Sequence, residues 1–239
     1  MTAPETPAGH RTFHEKLDLL KRRLLDMSQL AEELLAKSVQ AFLQRDAAKA
    51  ETVVPADAQV DLLEVEIEQL AVSLLALQQP MARDLRFIVS AIRIAGDLER
   101  VGDHAVNIAL SAQRMVALRT GVTPPPEISD MAQRSRRMLS DALDAVVRLD
   151  GALGRDVCRR DDQVDELHES VFRILLTHMM EDPGTISAAL ELLLVSRNLE
   201  RVADLATNVA EDAVYLAEGK TIKHHLEDRG DTSVPPLHV

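Results

Sequence analysis

Asp97-Leu98-Glu99-Arg100-Val101-Gly102-Asp103-His104-Ala105-Val106-Asn107 is echoed later in the chain by Asn198-Leu199-Glu200-Arg201-Val202-Ala203-Asp204-Leu205-Ala206-Thr207-Asn208. In each copy a Glu, a carboxylate four positions on and an Asn four beyond that fall on one side of a helix, since residues four apart are neighbours on its surface. The spacing predicts an oxygen-rich ridge, written twice.

The ridge is placed in line with the apolar pattern. Steps of three and four back from Glu99 meet Ala95, Ile92, Ile88 and Leu85, and steps forward meet Gly102, Val106 and Ala109. In the second copy Ile186, Ala189, Leu193 and Ser196 lead into Glu200. Glu99 and Glu200 are thus expected on the stripe that faces the core. Two carboxylates about 5 to 6 Å apart repel by roughly 3 kcal/mol at an effective dielectric near 20, so sheltered pairs call for a cation between them.

Outward from the ridge, the chain reads as helices. Residues 1–11, with Pro4, Pro7 and Gly9, are expected to form a loose tail. Thr12-Phe13-His14-Glu15 fits a capping box, and Phe13, Leu17, Leu20, Leu24, Met27, Ala31, Leu34, Ser38 and Ala41 then alternate at three and four. The pattern pauses at Asp46 and is interrupted at Pro55. A second helix carries Val60, Leu63, Ile67, Leu70, Leu74 and Leu77 and ends at Pro80. A third runs from about Asp84 to Leu118. Residues 119–127, with Gly121 and Pro124-Pro125-Pro126, form the linker.

Beyond the linker the pattern restarts. Met27, Asp46, Asp57, Gln59, Val60 and Asp61 match Met131, Asp150, Asp161, Gln163, Val164 and Asp165 at an offset of 104; Leu98, Glu99, Arg100, Val101, Asp103 and Asn107 match Leu199, Glu200, Arg201, Val202, Asp204 and Asn208 at 101. The expected fold is therefore all-α: two tandem, internally duplicated three-helix bundles over residues 12–118 and 128–218. A polar tail, residues 219–239, follows.

Composition agrees with helices, since four Phe, one Tyr and no Trp leave little for sheets. A formal charge of -12 offers no broad basic surface, so no nucleic-acid partner is expected. Cys158 is the only cysteine, which excludes an intramolecular disulfide and a thiolate metal cluster. With neither a signal-like N-terminus nor a long apolar run, the protein is expected in the cytoplasm, reaching the inner membrane face only through partners.

The middle helix of each half carries its own acidic row, Asp57, Asp61 and Glu64 in one and Asp161, Asp165 and His168 in the other. Packed beside the third helix, these rows would meet Glu99 and Asp103, and Glu200 and Asp204. Clusters of carboxylate and imidazole suit iron, zinc, manganese or magnesium. The competing reading is a solvated acidic face balanced by Arg93, Arg100, Arg197 or Arg201. Asp165-x-x-His168 has the carboxylate–His spacing of di-iron bundles, but those repeat Glu-x-x-His on two helices and this chain has it once, against a ferritin-like oxidase. His104 lies one position off the ridge and is read as an inter-helix contact. His178, in the place of Leu74, is read as a core-edge residue, and His224-His225 as a chance pair in the tail. No phosphate loop, nucleophile elbow or nucleophile–base pairing is found, so no enzyme is expected.

The duplicated three-helix layout, the Gln79-Pro80-Met81-Ala82-Arg83-Asp84-Leu85-Arg86 hairpin and the Asp97 to His104 run resemble the PhoU family of bacterial phosphate-signalling regulators, over residues 13 to 219. The resemblance implies a six-helix fold, commonly dimeric, with metal held at Glu99 and Asp103, Glu200 and Asp204, Asp57 and Asp61, and Asp161 and Asp165. It further implies a negative regulator of the phosphate-starvation response that contacts the ATPase of the high-affinity phosphate transporter and a membrane sensor histidine kinase. Two rivals remain at this point: a metal-dependent hydrolase using the carboxylate clusters, and a plain helical dimerisation module. The halves differ at Glu64 against His168 and at Ala95 against Ser196, so the two sites need not hold the same ions.

Overall fold

The computed structural model describes residues 8–78, 80–118 and 122–222. The N-terminal tail as far as residue 7, Gln79 of the hairpin, residues 119–121 of the linker and the C-terminal tail from residue 223, with His224-His225, lie outside them. Among the described residues there are α-helices and one 3-10 turn, and no strand. The helices are α1 (Ala8–Gln44), α2 (Ala47–Glu51), α3 (Val53–Gln78), α4 (Ala82–Leu118), α5 (Pro126–Arg148), α6 (Gly151–Glu181) and α7 (Ile186–Glu218).

The apolar stripe of α1 behaves as its spacing predicts: Phe13, Leu17, Leu20, Leu24, Met27, Ala31, Leu34, Ser38 and Ala41 are all buried. The helix starts earlier than the capping box suggests, so Thr12 lies inside it.

The middle helix of the first half is broken where that of the second is continuous. Proline cannot donate to the carbonyl four residues back. The chain accordingly turns at Thr52 and α3 restarts with Pro55 in its first turn, whereas α6 runs on through Arg159, the counterpart of Pro55.

The turns entering the two middle helices are copies of one another. Arg45 and Leu149 adopt left-handed backbone (φ 53 each). The following Asp46 and Asp150 N–H groups bond back to Ala41 and Ala145 carbonyls at 2.9 Å. Their side chains then cap α2 and α6, accepting from Lys49 N–H, and from Ala152 and Leu153 N–H. Such caps satisfy donors that the first helical turn leaves open.

Helices α1, α3 and α4 form one bundle and α5, α6 and α7 the other; α4 packs on α7 and α1 on α5, so one hydrophobic core runs through both. Four polar contacts mark the α4–α7 seam. Arg93 Nη2 meets Asp212 Oδ1 at 2.6 Å, Asn208 donates to Asp97 at 3.4 Å, His104 Nδ1 meets Asn198 Oδ1 at 2.8 Å and Arg114 donates to Glu191 at 2.7 Å. Position rises along one helix as it falls along the other, so the two run antiparallel.

Three expectations need correction. The stripe through Glu99 is the edge of the core and not its centre: Leu85 and Ile186 are exposed, and Ile92, Val106 and Leu193 are half-buried. The central line of α4 is Ile88, Ala91, Ile94, Leu98, Val101, Ala105 and Ile108. His178 is exposed in the last turn of α6, where its carbonyl accepts Asp182 N–H. Leu175 is fully buried where the first half has Ala71, so the core volume is supplied one turn earlier. Finally, α5 begins at Pro126, inside the expected linker.

Helices α6 and α7 approach so closely at Gly154 that an added Cβ would lie 2.8 Å from the Ala210 carbonyl oxygen and 3.0 Å from Val214 Cγ2. At Gly96 it would meet only Glu64 Oε1, at 3.7 Å. Gly154→Ala is therefore expected to lose roughly 1–3 kcal/mol by overpacking, while Gly96→Ala is neutral or gains up to about 1 kcal/mol from helix propensity. Urea unfolding of the two variants checks this, and the opposite ranking would refute the close-approach account.

Candidate metal centre

Each carboxylate row lies where a middle helix meets a third helix. In the first half Asp57 rests against Gly102 and Glu64 faces Gly96, so α3 and α4 run antiparallel with their acidic edges together. A Cβ at Gly102 would collide with Asp57 Oδ1. Glycine there lets the carboxylate lie directly on the α4 backbone. Asp57 Oδ1 is buried without a hydrogen-bond partner. Burial, then the charges of Asp61 and Asp103, push the Asp57 carboxyl up to about 6. Burial likewise raises Glu99, helped by Asp103, Glu64, Asp61 and Asp57, and raises Glu64, helped by Glu68 and Asp61. The structure thus gathers Asp57, Asp61, Glu64, Glu99 and Asp103 into one mutually repelling group. Among the described residues none of the five pairs with a Lys or Arg.

In the second half Asp161 occupies the place of Asp57, and its Oδ1 is again buried without a partner. Burial, then Asp204, Asp165 and Asp162, push its carboxyl up to about 6, with Thr207 partly offsetting this. Burial and Asp204 raise Asp165, and burial and Asp204 raise Glu200 against the opposing charge of Arg201. Asp161, Asp165, His168, Glu200 and Asp204 are thereby brought together as expected.

This site has groups that its counterpart lacks. Arg201 bonds Asp204 at 2.7 Å and lies 3.4 Å from Glu200 Oε2, so here the balancing-arginine reading holds in part. Arg93 and Arg100 spend their charge elsewhere, on Asp212 and on Asp97. His168 Nδ1 meets Ser196 Oγ at 2.7 Å, and Ser196 Oγ meets Met131 Sδ at 3.3 Å. With its proton toward sulfur, the hydroxyl oxygen accepts Nδ1–H, leaving the imidazole lone pair on Nε2, the atom free to ligate. The two departures from internal symmetry, His168 and Ser196, are therefore one contact.

The Asn residues are not part of the ridges: Asn107 is exposed and Asn208 donates to Asp97 across the seam. His104 is the inter-helix contact expected of it, bonded to Asn198 and lowered chiefly by burial. Sequence reading missed the part played by Gly102 and by Thr207 beside the rows. A small residue in line with a carboxylate row was the available signal for Gly102.

The donor set fits a hard or borderline divalent ion. Three buried carboxylate oxygens, Asp57 Oδ1, Asp161 Oδ1 and Glu200 Oε2, lack hydrogen-bond partners, the neighbouring groups are further carboxylates, and one site adds an imidazole. Among the described residues no three His, Cys, Asp or Glu side chains already converge as a cage. The side chains would have to turn inward to ligate.

The PhoU domain family model matches residues 24–112 and 128–213, once for each half. The phosphate-specific transport system accessory protein PhoU homolog of Zymomonas mobilis is 37% identical over 217 residues, covering 89% of this chain and 90% of its own length. The homolog of the same description from Aquifex aeolicus is 38% identical over 218 residues, 91% of this chain and 98% of its own. The crystal structure of PhoU from Pseudomonas aeruginosa superposes with a TM-score of 0.85 at 35% identity, covering 87% of this chain and all (100%) of that one.

A carboxyl raised by burial is stabilising when protonated, so its contribution is present below the ordinary value of 3.8 and is lost as pH rises through about 6. In chelator, Asp57→Asn and Asp161→Asn are expected to be more stable than the parent at pH 7.5, by about 1 kcal/mol each after discounting for solvent screening. The difference should disappear below about pH 4. Divalent metal should raise the melting temperature of the parent more than that of either variant. Thermal unfolding at both pH values, with and without metal, measures all of this; variants less stable than the parent at pH 7.5 in chelator would contradict it.

Proposed function

The chain belongs to the PhoU family, and from that premise we propose that it is a metal-binding adaptor and negative regulator of the phosphate-starvation response. It links the ATPase of the high-affinity phosphate transporter to a membrane sensor histidine kinase, as a homodimer in the cytoplasm. The observation that supports the metal part is the recurrence, at equivalent places in both halves, of a buried carboxylate oxygen without a partner, Asp57 Oδ1 and Asp161 Oδ1.

In this reading the ion supplies the positive charge that the acidic edges need. The residues do the rest. Asp57, Asp61, Glu64, Glu99 and Asp103 would hold it across α3 and α4; Asp161, Asp165, His168, Glu200 and Asp204 would hold it across α6 and α7. Neutralised, the paired edges stay together, and the outer helix faces keep one shape for a partner to recognise. An adaptor shifts a kinase only through unequal affinity for its two states, so this surface favours the state that does not signal starvation.

Deleting the gene in its native host and growing the cells in phosphate-rich medium should switch on a phosphate-starvation reporter. The intact gene should restore repression, and a Glu99→Gln/Glu200→Gln copy should restore it only weakly at equal protein level. A reporter that stays silent in the deletion strain would sink the regulatory reading. Full repression by the double variant would sink the part assigned to metal.

A further inference from the structure

Three arginines, Arg134, Arg137 and Arg160, meet between α5 and α6, and none belongs to either carboxylate cluster. Gln133-Arg134-Ser135-Arg136-Arg137 lies on α5, and Arg134 and Arg137 face α6, which supplies Arg160 and Gln163. Together with Asp130, Gln133 and Met138 they line a pocket of about 310 Å³. That is room for a tetrahedral oxyanion with part of its hydration shell.

The pocket is built and not merely basic. Arg160 Nη1 holds Asp141 at 2.8 Å and its Nε lies 3.3 Å from Asp156, so two carboxylates fix the guanidinium. Its Nη2 is buried with no acceptor. A buried guanidinium N–H without an acceptor costs free energy that an incoming oxyanion would recover. Arg134 donates from Nη1 to Gln163 Oε1, which draws it over the same pocket. Among the described residues Arg137 has neither a hydrogen bond nor an ion pair. Asp130 adds an acceptor, which repels a fully ionised oxyanion and accepts from one that carries a proton. Phosphate keeps a proton at neutral pH and sulfate does not.

We propose that the pocket lined by Arg134, Arg137 and Arg160 between α5 and α6 binds a protonated tetrahedral oxyanion, inorganic phosphate being the simplest. The site is separate from the metal reading and does not rest on the regulatory role: none of its residues belongs to either carboxylate cluster. Arg160 and Arg134 bind the ionised oxygens, Arg137 closes over the mouth, and Asp130 selects for the proton.

The test is equilibrium dialysis of the full chain against radiolabelled inorganic phosphate, in chelator so that no metal at the ridges captures the anion. One saturable phosphate per chain is expected, in the millimolar range or tighter. Arg137→Gln, at an exposed position that leaves the fold intact, should weaken it about tenfold or more. Glu99→Gln/Glu200→Gln should leave it unchanged even where that variant loses repression. Sulfate should compete at least about tenfold less well than phosphate, and Asp130→Asn should narrow that gap. A phosphomonoester, with a second pKa of about 6 and so largely without a proton at neutral pH, should also compete less well than phosphate, and equal competition by it would overturn the selective role of Asp130. Absence of saturable binding, or binding that survives Arg134→Gln/Arg137→Gln, would overturn the site. Equal competition by sulfate against the parent chain would overturn the selective role of Asp130.

Discussion

The contact of Arg93 with Asp212 holds the molecule in register. Asp212 is almost wholly buried at the α4–α7 seam, and Arg93 reaches it while lying over the Tyr215 ring at 5.4 Å. A buried carboxylate deprived of its cation is an uncompensated charge, costing about 3–5 kcal/mol, so a slip of one helix along the other is strongly opposed. Both carboxylate clusters hang from this seam: α4 presents Glu99 and Asp103 to α3, and α7 presents Glu200 and Asp204 to α6. Fixing the seam fixes where the two acidic edges stand.

Duplication supplied two sites, and substitution has since made them unlike. The first half is all carboxylate, with Gly102 admitting Asp57 against bare backbone. The second has Ala203 at that place, His168 anchored on Ser196, and Arg201 bonded to the cluster. A site of five carboxylates and a site with an imidazole and a nearby guanidinium attract cations with different strength and different softness. The two acidic edges are thus chemically unlike, although they occupy equivalent places.

Charge is also segregated across the second bundle. Arg160 and Asp161 are adjacent in sequence yet face opposite neighbours, Arg160 turning to α5 and Asp161 to α7. One helix therefore separates a guanidinium-lined pocket from a carboxylate-lined edge, which keeps each from neutralising the other.

The sequence by itself determined the helical class, the duplication, the buried stripe of α1 and the acidic row on each middle and third helix, because three-four periodicity and a constant offset are local properties of the chain. It also marked the turns at Asp46 and Asp150, though not their left-handed Arg45 and Leu149, since no glycine announces them. Only the tertiary structure decided that Glu99 stands at the edge of the core and not in it, that His178 is left outside by Leu175, and that His168 and Ser196 are a single contact. Those outcomes depend on which neighbouring helix lies opposite a given face. A one-dimensional pattern shows that a face is apolar or acidic; what meets that face is set by the packing of the other helices.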